Sequence, residues 1–207
     1  MPIRSKKDLE IELSKLKSFS TQNVQLEQYP LPSNIAADWL WQMALRGEIA
    51  NKKILDAGCG PGILGLGLLL MGAKKIFFLD KDIEAIKICQ ENYHQLHEKY
   101  EIGSAEFLTQ DIRLFDEPVD IIVQNPPFGT KQEHADKIFL EKAFSLTSLI
   151  YTLHKYSTKE FVEAISRDNN FQITHFYRYE FPIKATFQFH EKPVVKIDVG
   201  LWRLEKK

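Results

Sequence analysis

The octapeptide QNPPFGTK, Gln124 to Lys131, follows VDIIV, a run with the apolar, β-branched character of a buried strand. Proline has no N–H for a sheet ladder, so the strand must stop there. Pro126 biases Asn125 towards extended backbone, and Pro127 does the same for Pro126. Consecutive carbonyls are thereby presented in a narrow range of geometries. The Asn125 side-chain oxygen and the Pro126 backbone carbonyl can accept both hydrogens of a planar NH2 group, while Phe128 can stack on the ring that bears it. Such an amine is a poor nucleophile because its lone pair is delocalised into the ring. Two fixed acceptors draw the nitrogen towards a tetrahedral shape and aim the lone pair at an electrophile. No strong base is required, because catalysis of this kind rests on alignment and charge placement.

A second group of residues suggests the electrophile. ILDAGCGPG places Gly58, Gly60 and Gly62 in a turn at the end of a strand, with Pro61 at the opening of a helix, and glycines there let backbone approach a ligand closely. The next strand ends in Asp80, about twenty residues on, where a carboxylate can accept from both hydroxyls of a ribose. The combination implies an adenosine-type cofactor. A dinucleotide fingerprint would need a glycine at position 63, where this chain has Ile63. The Gly-x-Gly-x-Gly spacing, opened by Asp56, resembles instead the first motif of class I S-adenosylmethionine-dependent methyltransferases. That resemblance implies S-adenosylmethionine as cofactor, with Asp111, followed by Ile112, at its adenine. The Asn125–Phe128 tetrapeptide is similar to the motif of those methyltransferases that act on planar NH2 groups, on adenine N6, guanine N2, cytosine N4 or the glutamine side-chain amide.

The elements that must position these groups follow from periodicity. After about residue 52 the apolar pattern alternates between strand-like and helix-like segments, the mark of βαβ units on a mostly parallel sheet. KKILDAG, KKIFFLD, AEFLTQD, VDIIVQ and IYTLHK read as strands, with helices after Gly62, after Asp82 and over DKIFLEKAFSLTSL. STKE, residues 157–160, is a capping-box pattern that predicts a helix to about Arg167. FQITHFYRYEFPI and PVVKIDVGLWRL have no helix between them and read as an antiparallel pair at one sheet edge. Ahead of the sheet, Leu9, Leu13 and Leu16 share one helical face, as do Ile35, Trp39 and Met43. The expected fold is α/β: a Rossmann-like, seven-stranded, mostly parallel sheet with one antiparallel strand and an N-terminal helical extension. Residues 1–207 read as a single methyltransferase domain, with 1–50 as helices and a loop and 51–207 as the core.

The 207 residues are 44% apolar and can bury one sizeable core. The longest apolar run, GILGLGLLLMGA, is too short to span a bilayer, and the charged start lacks a signal peptide's apolar region, so a cytoplasmic protein is expected. Two cysteines make neither a disulfide framework nor a zinc site, and no metal is expected. A net charge of −1 argues against nucleic-acid binding by bulk electrostatics, although basic residues outnumber acidic ones beyond Gly129.

LEQYPLPSNIAADWL, ILDAGCGPGILGLG, NPPFGTK, YTLHKYSTKEFVE and YEFPIKATFQFHEKPVVKIDVGLWRL together are similar, nearly end to end, to the methyltransferase-like family that makes N6-methyladenosine in small-subunit ribosomal RNA of eukaryotes and archaea. The resemblance implies that Gln28 and Tyr29 cover the cofactor, with Gly58, Pro61, Ile63, Asp80, Asp111 and Ile112 completing its site. The family usually has Thr where this chain has Leu31, so a hydrogen bond to the cofactor is expected to be absent. A lysine-rich HKK run reads HEK here, with Glu191 weakening an RNA-facing patch. Lys131, His154, Lys155, Lys184, His190 and Lys192 are candidate RNA contacts. The family also implies a partner, a small zinc-binding activator protein added as a strand at Ala105 to Thr109. Two alternatives stand beside RNA adenine-N6 methylation: a glutamine-N5 protein methyltransferase and a non-catalytic cofactor-binding scaffold for ribosome assembly.

Overall fold

A computed structural model describes residues 3–19, 30–127, 135–184 and 194–207. Among them, seven strands form one sheet in the order β3-β2-β1-β4-β5-β7-β6. The strands are β1 (Lys53–Ala57), β2 (Lys75–Asp80), β3 (Ser104–Thr109), β4 (Ile121–Gln124), β5 (Leu149–Lys155), β6 (Phe171–Lys184) and β7 (Val194–Lys206). β1 to β5 pair in parallel, and β7 runs antiparallel to both β5 and β6. The expected sheet, with its single antiparallel strand, is therefore found.

The helices are α1 (Lys6–Ser14), α2 (Ser33–Leu45), α3 (Ile63–Leu70), α4 (Ile83–Lys99), α5 (Ala135–Leu146) and α6 (Lys159–Asp168). Apolar residues of α1 to α4, including Leu13, Trp39, Leu68 and Cys89, share a core with one sheet face. The other face, with Ile122 and Ile150, is covered by Phe144 of α5 and Val162 of α6. A parallel sheet covered on both sides has strands that are apolar throughout, which is why KIFFLD and IIVQ lack alternation. Helix α3 lies very close to the sheet because of its glycines. A Cβ at Gly65 would stand 2.3 Å from the Phe78 ring. Glycine inside a helix costs roughly 1 kcal/mol relative to alanine, and the close helix-to-sheet contact offsets it.

Two sequence expectations need correction. The capping box does not form: Tyr156–Thr158 is a 3-10 turn, and Thr158 before α6 makes no side-chain cap bond. A capping residue needs extended backbone, which a tight turn denies to Ser157. The Thr158 hydroxyl donates instead to the Lys155 carbonyl at 2.9 Å. The helix expected over 136–149 ends at Leu146. There the Thr147 hydroxyl donates to the Asp120 carbonyl at 2.7 Å, and Leu149 is already in β5. Among the described residues, no helix is long and apolar enough to cross a membrane.

The N-terminal helices are tied to the far strands by polar contacts. Glu48, just after α2, accepts from Arg203 Nε of β7 at 3.1 Å and from the Tyr151 hydroxyl of β5. The Arg203 and Glu48 side chains are only 9% and 14% exposed, so removing either partner strands a buried group. Glu48→Ala should cost about 2–4 kcal/mol, and urea unfolding should show Glu48→Gln, which keeps an acceptor, losing less.

Candidate active site

Everything at the carboxyl end of β1 depends on left-handed backbone. Gly58, Gly60 and Gly62 have φ of +69°, +52° and +89°, values that L side chains rarely adopt. At Gly62 the restriction is also one of space, since a Cβ would stand 2.4 Å from Cys89 Sγ. The Gly58 and Cys59 N–H groups donate to the Leu79 carbonyl at 2.8 and 3.0 Å, which pins the loop to the end of β2. Asp80 completes the clamp, one carboxylate oxygen accepting from Gly60 N at 2.9 Å and the other from Asp82 N at 3.0 Å. Burial raises the Asp80 pKa, and these backbone bonds oppose the rise. Behind the loop, fully buried Asp56 accepts from Gly65 N at 2.8 Å.

The loop opens onto a cavity of about 670 Å³. Of the described residues expected to hold the cofactor, all but Gly62 line its wall: Leu31, Asp56, Gly58, Gly60, Pro61, Ile63, Asp80, Asp111 and Ile112. Gly62 supports the loop from behind. The wall fits an adenosine-type group. Backbone comes close where side chains are absent, and each Asp80 oxygen keeps acceptor capacity beyond the N–H it holds. Arg113 clasps Asp111 through Nε and Nη2, both at 2.8 Å. That hydrogen bonding lowers its pKa to about 2, so the carboxylate stays charged.

Asn125, Pro126 and Pro127 line the same cavity from the end of β4. The Asn125 side-chain oxygen is buried and has no hydrogen-bond partner among the described residues. An unsatisfied buried acceptor costs roughly 1–3 kcal/mol, and this one has no donor among the described residues. Gln28, Tyr29, Phe128, Lys131, His190 and Lys192 lie outside the described residues. Lys155 ends β5 half-buried, and Lys184 ends β6. His154 is not a surface contact: it is 1% exposed, its Nε2 lies 2.6 Å from Thr152 Oγ1, and burial pushes its pKa down to about 3.

Other wall residues carry no motif. Phe139 of α5 packs so closely that a Cβ at Gly58 would lie 3.2 Å from its ring. Lys17, Ser18 and Phe19, beyond α1, also reach the cavity. They are held by Asn92 of α4, whose Oδ1 accepts from Lys17 N at 2.8 Å. Its Nδ2 donates to the carbonyls of Lys17 and Pro61 at 2.9 and 3.0 Å. A fully buried amide thus ties the N-terminal segment to the glycine loop. In the sequence, Asn92 is one polar residue on a polar helix, with no periodic signal to mark it.

The methyltransferase small domain model matches residues 36–147. An uncharacterised protein of Methanocaldococcus jannaschii is 37% identical, across 97% of this chain and 94% of its own length. The rRNA N(6)-adenosine-methyltransferase METTL5 of Danio rerio is 30% identical, across 95% of this chain and 97% of its own length. A crystal structure from Pyrococcus horikoshii, described as that of a candidate RNA methyltransferase, superposes with a TM-score of 0.88 at 37% identity. It covers 99% of this chain and 98% of that one.

The buried Asp56 makes a pH prediction. Burial, with the nearby Asp80 charge, raises its pKa from 3.8 to about 7, against the Gly65 bond. Between those values the unfolded chain has released a proton that the folded chain keeps, so stability falls as pH rises through this window. Asp56→Asn keeps an acceptor for Gly65 and removes the proton. Urea unfolding from about pH 4 to about pH 7 should show a flatter stability profile for the variant than for the wild type; parallel profiles would contradict the assignment.

Proposed function

Because the chain belongs to the methyltransferase small domain family, we propose that it transfers a methyl group from S-adenosylmethionine to N6 of an adenine in RNA, with small-subunit ribosomal RNA as its substrate. The observation that carries this reading is the buried Asn125 oxygen, without a hydrogen-bond partner among the described residues, beside Pro126 at the wall of the cavity that also holds Asp80. S-adenosylmethionine, when bound, would supply a methyl group activated by a positive sulfur. Asp80 would accept from the ribose hydroxyls, the glycine loop would admit the backbone-facing edge of the ligand, and Asp111 would lie by the adenine. Asn125 and the Pro126 carbonyl would hold the two hydrogens of the target amine, with its lone pair turned towards the cavity. The methylated amine is acidic enough to lose its proton to water, which is consistent with there being no assigned base. Names of the relatives, above all the rRNA adenosine methyltransferase at 30% identity, support RNA over the glutamine side chain.

The same reading includes a partner and a place. A small zinc-binding activator would add a strand along β3 near Ala105 to Thr109. Its support is that β3 is an outer strand that, among the described residues, pairs with β2 alone, and an unpaired edge is a template for strand addition. Glu106, the one charge at its centre, is taken up by Lys75 at 2.6 Å. The reaction is assigned to the cytoplasm.

Labelled-cofactor transfer to bulk ribosomal RNA, followed by nucleoside analysis, should yield N6-methyladenosine. Two variants should separate binding from chemistry. Asp80→Ala should weaken S-adenosylmethionine by about tenfold or more, as loss of a charged acceptor does. Asn125→Ala should bind the cofactor like the wild type in calorimetry and yet fail to transfer. Methylated glutamine in a protein digest, with unmodified RNA, would overturn the reading.

A further inference from the structure

A ladder of planar groups leads outward from the core on the far side of the sheet. Trp202 of β7 is 1% exposed. The Phe176 ring lies 5.1 Å from it, and the Tyr156 ring a further 6.0 Å on. The Arg178 guanidinium covers Tyr156 at 4.3 Å from the ring centroid. Phe176 is 38% exposed, one of the few large apolar side chains left open among the described residues. The arrangement is built into the strand pairing. Phe176 stands opposite Trp202 and Arg178 opposite Gly200, and a Cβ at Gly200 would lie 2.3 Å from the Trp202 ring and 2.6 Å from the Phe176 ring. Glycine at that position lets both rings lie against the strand.

This ladder stands at the same end of the sheet as Asn125. Gln124 of β4 pairs with Thr152 of β5; Asn125 is the next residue after Gln124, and Tyr156 follows the last residue of β5. From the strand spacing and rise, Asn125 and Tyr156 are separated by roughly 10 Å. Arg178 and Lys196 beside the ladder are each paired, with Asp198 and Glu180, which tempers their pull on a polyanion. A ligand gains instead from planarity, by stacking on the open ring and the flat guanidinium.

Resting on the RNA reading above, we propose that Tyr156, Phe176 and Arg178 form a stacking site for an unpaired base that flanks the target adenine. A base splayed out of its strand presents the π-face that such a site takes. The occupant is a nucleobase in single-stranded RNA, and its recognition depends on the ring more than on the phosphate.

Fluorescence anisotropy with two short single-stranded RNAs tests this, one carrying its bases and one with the same ribose-phosphate chain stripped of them. The wild type should prefer the strand with bases. Phe176→Leu and Tyr156→Leu, which keep apolar bulk without a plane, should bind that strand about tenfold more weakly and so narrow the preference, whereas Phe176→Tyr should keep it in full. Thermal midpoints show whether each variant is folded, and calorimetry should show S-adenosylmethionine affinity unchanged. Equal binding of the two strands by the wild type, or leucine variants that bind like the wild type, would overturn the stacking site. Methyl transfer by the wild type, run in parallel, keeps the two ideas apart. N6-methyladenosine formed by an enzyme with no base preference removes only the stacking site, whereas protein methylation with unmodified RNA removes the RNA reading and this inference with it.

Discussion

The Asp80 carboxylate is the joint on which the crevice depends. It ends β2, and its two oxygens hold the N–H of Gly60, in the loop after β1, and of Asp82, at the start of α4. Because β1 and β2 are neighbours with Ala57 opposite Leu79, one side chain can reach both turns. A buried carboxylate is costly to ionise unless hydrogen bonds favour the charge, and here backbone donors oppose the effect of burial. The three left-handed glycines then have one shape available, and the cavity has a fixed floor.

Packing carries that constraint outwards. Glycines in α3 bring its axis close to Phe78 and Leu40, so the helix after the loop cannot drift away from the sheet. Asn92 joins the segment after α1 to Pro61, which places N-terminal residues at the cavity beside a loop far from them in sequence. On the same face, towards the other edge of the sheet, Glu48 just after α2 and Asp38 of α2 receive Arg203 and Tyr179, binding this helix to β7 and β6. The N-terminal helices are thereby continuous with the core rather than an appendage to it.

The opposite wall has a different character. Gln124 donates to Thr152, and Thr152 meets a His154 that burial keeps neutral. These groups are internally satisfied except for the Gln124 oxygen, and with Asn125 the residues at the end of β4 hold two buried acceptors without donors among the described residues. Buried polar groups in folded proteins are nearly all hydrogen-bonded, so each exception calls for an explanation. The strand end that two prolines shape is thus also where hydrogen-bonding capacity is held in reserve.

Much of this could be read from the chain. Alternating strand and helix periods, three glycines in a turn and a carboxylate at the next strand's end are local patterns, and local patterns are what a linear sequence records. They led to the sheet, to the cavity wall and to Asn125. What escaped was set by meetings between distant segments. Ser157 has the spacing of a helix cap, but the 3-10 turn at the end of β5 denies it the backbone a cap needs. His154 has the look of a surface contact, yet pairing with β7 turns it inward against Trp202. Asn92, Phe139 and the Trp202–Phe176–Tyr156 ladder carry no motif at all, because their roles come from which strands and helices lie side by side. The sequence by itself determined the elements and the residues at their ends; only the tertiary structure decided which side chains face the cavity, because burial and pairing are properties of the assembled sheet.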